Sequence, residues 1–69
     1  MEIKSYGKSE LAMMYRPGLT KDSAWRTLKN WIRRNRTIGR ELKRLGYKSH
    51  DRLFTAEMVR VIVRELGEP

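Results

Sequence analysis

A chain of 69 residues with no cysteine has room for one small domain, stapled neither by disulfides nor by a thiolate zinc site. Sixteen Lys and Arg against eight Asp and Glu give a formal net charge of +8, while 39% hydrophobic and 35% charged residues are otherwise ordinary for a globular domain. The longest apolar runs, Leu11 to Met14 and Val61 to Val63, are far too short to span a bilayer, and the N-terminus lacks the apolar stretch of a secretory leader. A cytoplasmic protein is expected.

Ile3 to Tyr6 alternates apolar and polar residues, as a short strand does. Gly7, with Glu10 three residues on, opens a first helix from about Lys8 to Tyr15, and Pro17-Gly18 is a turn. Thr20 is a good N-cap and Asp22 complements the dipole of a second helix, about Lys21 to Arg34. Ala24, Leu28, Trp31 and Ile32 line one face of that helix; Arg26, Lys29, Asn30 and Arg33 lie opposite.

Asn35 caps the junction to a third helix, about Arg36 to Leu45, with Ile38, Leu42 and Leu45 inward and Arg36, Arg40, Lys43 and Arg44 outward. Gly46 supplies its left-handed stop. Tyr47 to Phe54, polar in the middle and aromatic at the ends, is a loop or a small hairpin. Thr55 caps a fourth helix, Phe54 and Val59 are spaced as a hydrophobic staple, and Gly67 ends it. The fold expected is mainly α: a four-helix, helix-turn-helix-like single domain, with a two-stranded β ribbon as its winged-helix-like option.

The charge is not spread evenly. Between Arg26 and Lys48 stand nine Lys and Arg and one acid, Glu41, a net +8 that equals the charge of the whole chain. Lys29 and Arg33 are four apart, as are Arg36, Arg40 and Arg44, spacings that set like charges side by side on a helix and destabilise it slightly. Such a concentration is an address for a polyanion. Asp22 is placed to pair with Arg26, and Glu41 with Arg44, which discounts those two cations.

Duplex DNA is the partner this pattern favours. Arg26, Lys29, Asn30, Arg33 and Arg34 on the second helix would dock, with Arg36, Arg40 and Lys43 on the third helix and Lys48 and Arg52 in the following loop holding phosphates. The helix-turn-helix would be the first and second helices, or the second and third; the sequence leaves both open. A chain this small covers few base pairs, so specific recognition calls for a homodimer or a further partner. The alternative is a protein–protein interaction module whose second- and third-helix surface binds an acidic partner, with Trp25 at the edge of the apolar arc contributing to the contact. Membrane binding is not expected, because the apolar helix faces are needed for the core.

Catalysis finds no constellation to support it. Ser49-His50-Asp51 has the residue types of a triad, but sequence neighbours cannot converge as a triad does. Gly7-Lys8-Ser9 echoes the end of a phosphate loop without its first glycine, since position 2 is Glu. One His and scattered acids offer no metal cluster, so no cofactor and no metal are expected.

Two resemblances add to this reading. Gly46-Tyr47 through Phe54-Thr55 resembles the wing and following helix of MerR- and excisionase-like domains, which would put Lys48, His50 and Arg52 at a wing tip. The departure is the third helix, which stands between the second helix and that wing. Over nearly all the chain, Tyr6-Gly7, Glu10-Leu11-Ala12, Tyr15, Pro17, Ala24, Leu28, Trp31-Ile32, Leu45-Gly46-Tyr47, Phe54-Thr55, Val59, Ile62-Val63 and Leu66-Gly67-Glu68-Pro69 resemble a small domain-of-unknown-function family of anaerobic gut bacteria. That resemblance implies a shared fold and no activity or ligand for any residue.

Overall fold

The computed structural model describes every residue from Met1 to Pro69. In chain order the elements are β1 (Tyr6–Gly7), α1 (Lys8–Tyr15), α2 (Lys21–Arg34), α3 (Arg36–Arg44), β2 (Leu53–Phe54) and α4 (Ala56–Leu66). α2 packs against both α1 and α3, and α3 also packs against α4.

Local chemistry sets the helix ends. Glu10 reaches back so that its Oε1 accepts the Gly7 N–H at 3.0 Å. Thr20 Oγ1 accepts from Ser23 N–H at 3.2 Å, and Thr55 Oγ1 accepts from Met58 N–H at 3.3 Å. Each such cap satisfies a backbone donor that the helix itself leaves unpaired, and losing one costs about 1 kcal/mol. Asn35 serves twice: it closes α2, and its Oδ1 accepts the Ile38 N–H at 3.0 Å to open α3. One residue between two helices forces a sharp change of direction. Gly46 and Gly67, both at φ 88°, stop α3 and α4 in the left-handed region that a side chain disfavours.

Twelve buried side chains form the core, with no buried polar group among them. α1 contributes Leu11 and Ala12, α2 Ala24 and Leu28, α3 Ile38 and Leu42, and α4 Met58, Val59, Val61 and Ile62. Phe54 joins them from β2 with no exposed surface. Tyr47 stacks on its ring at a centroid distance of 5.3 Å, and Trp25 leans against it at 6.1 Å. Burial of a Phe side chain contributes about 1.5–3 kcal/mol, so this ring fastens the 47–54 segment to α2.

The sheet corrects one expectation and decides between the two alternatives for residues 47–54 in favour of a loop. The first strand lies at Tyr6–Gly7 and not over Ile3 to Tyr6, and its partner is β2, antiparallel, with Tyr6 opposite Phe54 and Gly7 opposite Leu53. Residues 47–54 therefore form no hairpin of their own, and Lys48, His50 and Arg52 do not sit at a wing tip. Asp51 explains the local shape. Its N–H donates to the Lys48 carbonyl at 2.9 Å and its Oδ2 accepts the Lys48 N–H at 3.0 Å, which makes a tight polar turn. Beyond the turn, the Arg52 carbonyl takes the Lys8 N–H at 3.0 Å and the chain runs out along β1. The third helix ends at Arg44, with Leu45 as its cap and only partly buried. No helix is long and apolar enough to cross a membrane.

Candidate nucleic-acid interface

α2 and α3 bury their apolar faces and leave the opposite faces in water. Arg26, Lys29, Asn30, Arg33 and Arg34 are exposed along α2, and Arg36, Arg40, Lys43 and Arg44 along α3. At about 100° per residue, Arg36, Arg40 and Lys43 fall within roughly 60° of one another, a single cationic stripe.

Their lack of partners is the main electrostatic observation. Four ion pairs form within 4.0 Å in the whole chain, besides a His50–Asp51 contact, and Arg44 with Glu41 is the one that touches the nine cations between Arg26 and Lys48. The Arg44 hydrogen bond is the largest influence holding the Glu41 carboxyl below the usual carboxylate range, and Arg64 and Arg40 add to it through space. The pairing of Asp22 with Arg26 expected from their spacing does not form within 4.0 Å. Both ends are exposed, and water solvates each at less entropic cost than a fixed pair.

Helix dipoles account for some of these cations and not for others. Arg33 and Arg34 lie in the last turn of α2, and Lys43 and Arg44 in the last turn of α3, where positive charge gains about 0.3–1 kcal/mol. Arg36 stands at the opposite end. It is the first residue of α3, a helix with no acid in its first turn, so the dipole repels it. Lys29 and Arg40 are mid-helix and gain nothing from either end. Arg26, equally mid-helix and unpaired, joins Lys29, Arg36 and Arg40 as the helical cations that the fold leaves unexplained.

Gly39 adds a backbone observation at the same place. It sits inside α3 with helical φ, is exposed, and has no atom within 4 Å of the point where a Cβ would stand. Glycine inside a helix costs about 1 kcal/mol against Ala, and neither packing nor a turn within the chain requires it here.

Beside the α2 face lies a cleft of about 370 Å³ lined by Trp25, Lys29, Ile32, Arg33, Tyr47 and Ser49. The Lys8 ammonium reaches between its two aromatic residues, 5.0 Å from the Trp25 ring centroid and 4.8 Å from that of Tyr47. It also donates to the Ser49 carbonyl at 2.7 Å. Lys8 therefore ties the 47–51 turn to α1 and α2, and it occupies ring surface that a stacked base would need. Trp25 and Trp31 are both partly buried against the core.

Lys29 and Arg33 come together at this cleft, and Arg36, Arg40 and Lys43 on the α3 stripe. Lys48 is exposed on the turn that Lys8 anchors. Arg52 departs from the group: it lines a separate cleft beside the start of α1, with Gly7, Lys8, Ser9, Glu10, Met13 and Lys21. The sequence gives Lys8 no role beyond an incomplete phosphate-loop echo and does not single out Gly39. For Gly39 a signal existed, a helix-breaking residue at Arg36 plus three; Lys8 carried none, because its partners are remote in the chain. No three His, Cys, Asp or Glu side chains converge as a metal site would require.

Four helices packed with a two-stranded antiparallel ribbon define a small, mainly α domain with exposed basic faces on α2 and α3. Residues 2–69 match the family described as a domain of unknown function (DUF4248), and the chain belongs to that family. None of the curated proteins and none of the solved structures matches it.

Proposed function

We propose that this domain binds duplex DNA through the exposed faces of α2 and α3, as a small transcriptional regulator or accessory factor in the cytoplasm. The observation that carries the reading is the row of unpaired cations: eight of the nine Lys and Arg between Arg26 and Lys48 have no carboxylate within 4.0 Å. Arg36, at the wrong end of its helix, makes the point most sharply. Positive charge that lowers helix stability is retained where a partner's phosphates neutralise it.

In this reading α2 supplies Arg26, Lys29, Asn30, Arg33 and Arg34, residue types that contact base edges as well as phosphates. Arg36, Arg40 and Lys43 grip the backbone, and Lys48 extends the surface. Arg52 drops to a peripheral role because it lines the other cleft. α2 would be central to either helix-turn-helix pairing of helices, and two copies would lengthen the site enough for sequence-specific binding. Titration of duplex DNA with the wild type and with the Arg33→Glu, Arg40→Glu double variant tests the proposal. Both side chains are exposed, so the variant should stay folded, its melting temperature lowered by a few degrees at most for the acid placed in the last turn of α2, and lose binding.

The second reading is an acidic protein partner on the same face. The part of Trp25 left exposed at the cleft beside Lys29 and Arg33 favours it, since aromatic and Arg side chains together make interface anchors. It predicts weak, non-saturating DNA binding and a defined complex with one acidic protein.

A further inference from the structure

Gly39 is the residue on the cationic surface for which the folded chain has no use. It lies in the middle of a nine-residue helix, where it lowers helix stability, and the space around its missing Cβ is open. Its surface neighbours on the helix are Arg36, three residues before, and Lys43, four after, both exposed and both without an ion pair. About 10 Å of helix axis separates these two cations, with Gly39 in the gap between them. A residue without a side chain lets another backbone approach a helix closely. The flanking charges specify which kind.

We infer that Gly39 marks the point where the sugar–phosphate backbone of a bound duplex comes closest to α3. Arg36 and Lys43 hold phosphates on either side of the contact, and Arg40, one residue on, holds another from the centre of the stripe. This makes α3 the helix that lies against the strand and leaves α2 to face the groove. It rests on the DNA-binding reading above and adds to it a residue that carries no charge, which counting cations would never select.

The test uses the full chain in three forms, wild type, Gly39→Ala and Gly39→Gln, each melted alone and titrated with a mixed-sequence duplex of about two helical turns. None of the three differs in charge. Removing the helix-interior glycine should raise the melting temperature, by about 4–8 °C for Ala. Binding should weaken despite the gain in stability, severalfold for Ala and at least tenfold for Gln, whose side chain fills the gap between Arg36 and Lys43. A more stable protein that binds less well cannot be explained by a structural role. Unchanged affinity in both variants would overturn the inference and leave the DNA-binding reading intact. A drop in melting temperature would overturn it too, by showing that the fold itself needs this glycine. If the wild type does not bind the duplex at low salt, the underlying reading fails and the inference with it.

Discussion

Arg44 and Glu41 form a two-point ion pair, Nη2 to Oε1 at 2.9 Å and Nε to Oε2 at 3.4 Å. The single acid of the basic segment is thereby spent on one cation, and the other eight are left free. Glu41 lies about 100–160° round α3 from Arg36, Arg40 and Lys43, so its carboxylate acts chiefly as a partner that holds Arg44 back from a polyanion, and only at longer range as repulsion toward one.

Replacing Glu41 with Gln should therefore strengthen duplex binding and steepen its salt dependence by as much as about 0.9 in log–log slope, one further phosphate contact. The pH dependence of folding gives an independent check. Glu41 has a depressed carboxyl pKa in the folded chain, so its stabilisation is present above its ordinary value of 4.5 and is lost as pH falls through the folded value. Melting curves of wild type and Glu41→Gln should differ slightly at neutral pH and converge in acid.

The aromatic contacts of Lys8 lead to a second expectation. Lys8→Met keeps the length of the side chain and removes the cation, so it should cost about 1 kcal/mol. The amide protons of residues 47–51 should exchange faster, while those in α4 keep their protection. Uniformly faster exchange would mean that Lys8 supports the whole fold and not this turn alone.

Phe54 is the fully buried ring on which Tyr47 and Trp25 pack. Phe54→Ala should cost about 3–5 kcal/mol, against a total of roughly 3–10 kcal/mol for a chain of this size. Circular dichroism should show a chain largely unfolded, or melting tens of degrees earlier. Leu53→Ala next door, at a side chain 60% exposed, should change little.

Tyr15 ties the end of α1 to the end of α4, its hydroxyl donating to the Gly67 carbonyl at 2.6 Å. Partial burial raises its pKa above the ordinary 10.0, and the nearby Glu68 carboxylate adds to the effect. The neutral phenol is the folded form, so its contribution is complete below pH 10.0 and declines as pH rises through the folded value. Alkaline melting should be less cooperative with pH in Tyr15→Phe than in wild type, because the variant has no proton to lose there.

Much of the fold was legible because its determinants are local. Thr20, Asn35 and Thr55 cap the helices that their positions predict, and Gly46 and Gly67 stop them. The apolar stripes of α2 and α3 point inward as their spacing requires, while α4 buries Met58 and Val61 beside Val59 and Ile62 and leaves Val63 and Leu66 partly covered. What the sequence did not disclose depends on contacts between distant segments. A two-residue strand such as Tyr6–Gly7 carries no periodicity, and its partner could be identified only once Phe54 was seen in the core. The same holds for the site: the stripes on α2 and α3 were readable, whereas the diversion of Arg52 to another cleft follows from the pairing of β2 with β1.

The central claim is that the unpaired cations of α2 and α3 neutralise phosphates. The most direct measurement is the affinity for a mixed-sequence duplex across a salt series. Engagement of about five phosphates predicts that log K falls with log salt at a slope near −4.5, and that the slope shrinks by about 0.9 for each of Lys29, Arg33, Arg36 or Arg40 replaced by Ala. Binding that is undetectable at low salt, or an affinity flat with salt, would contradict it.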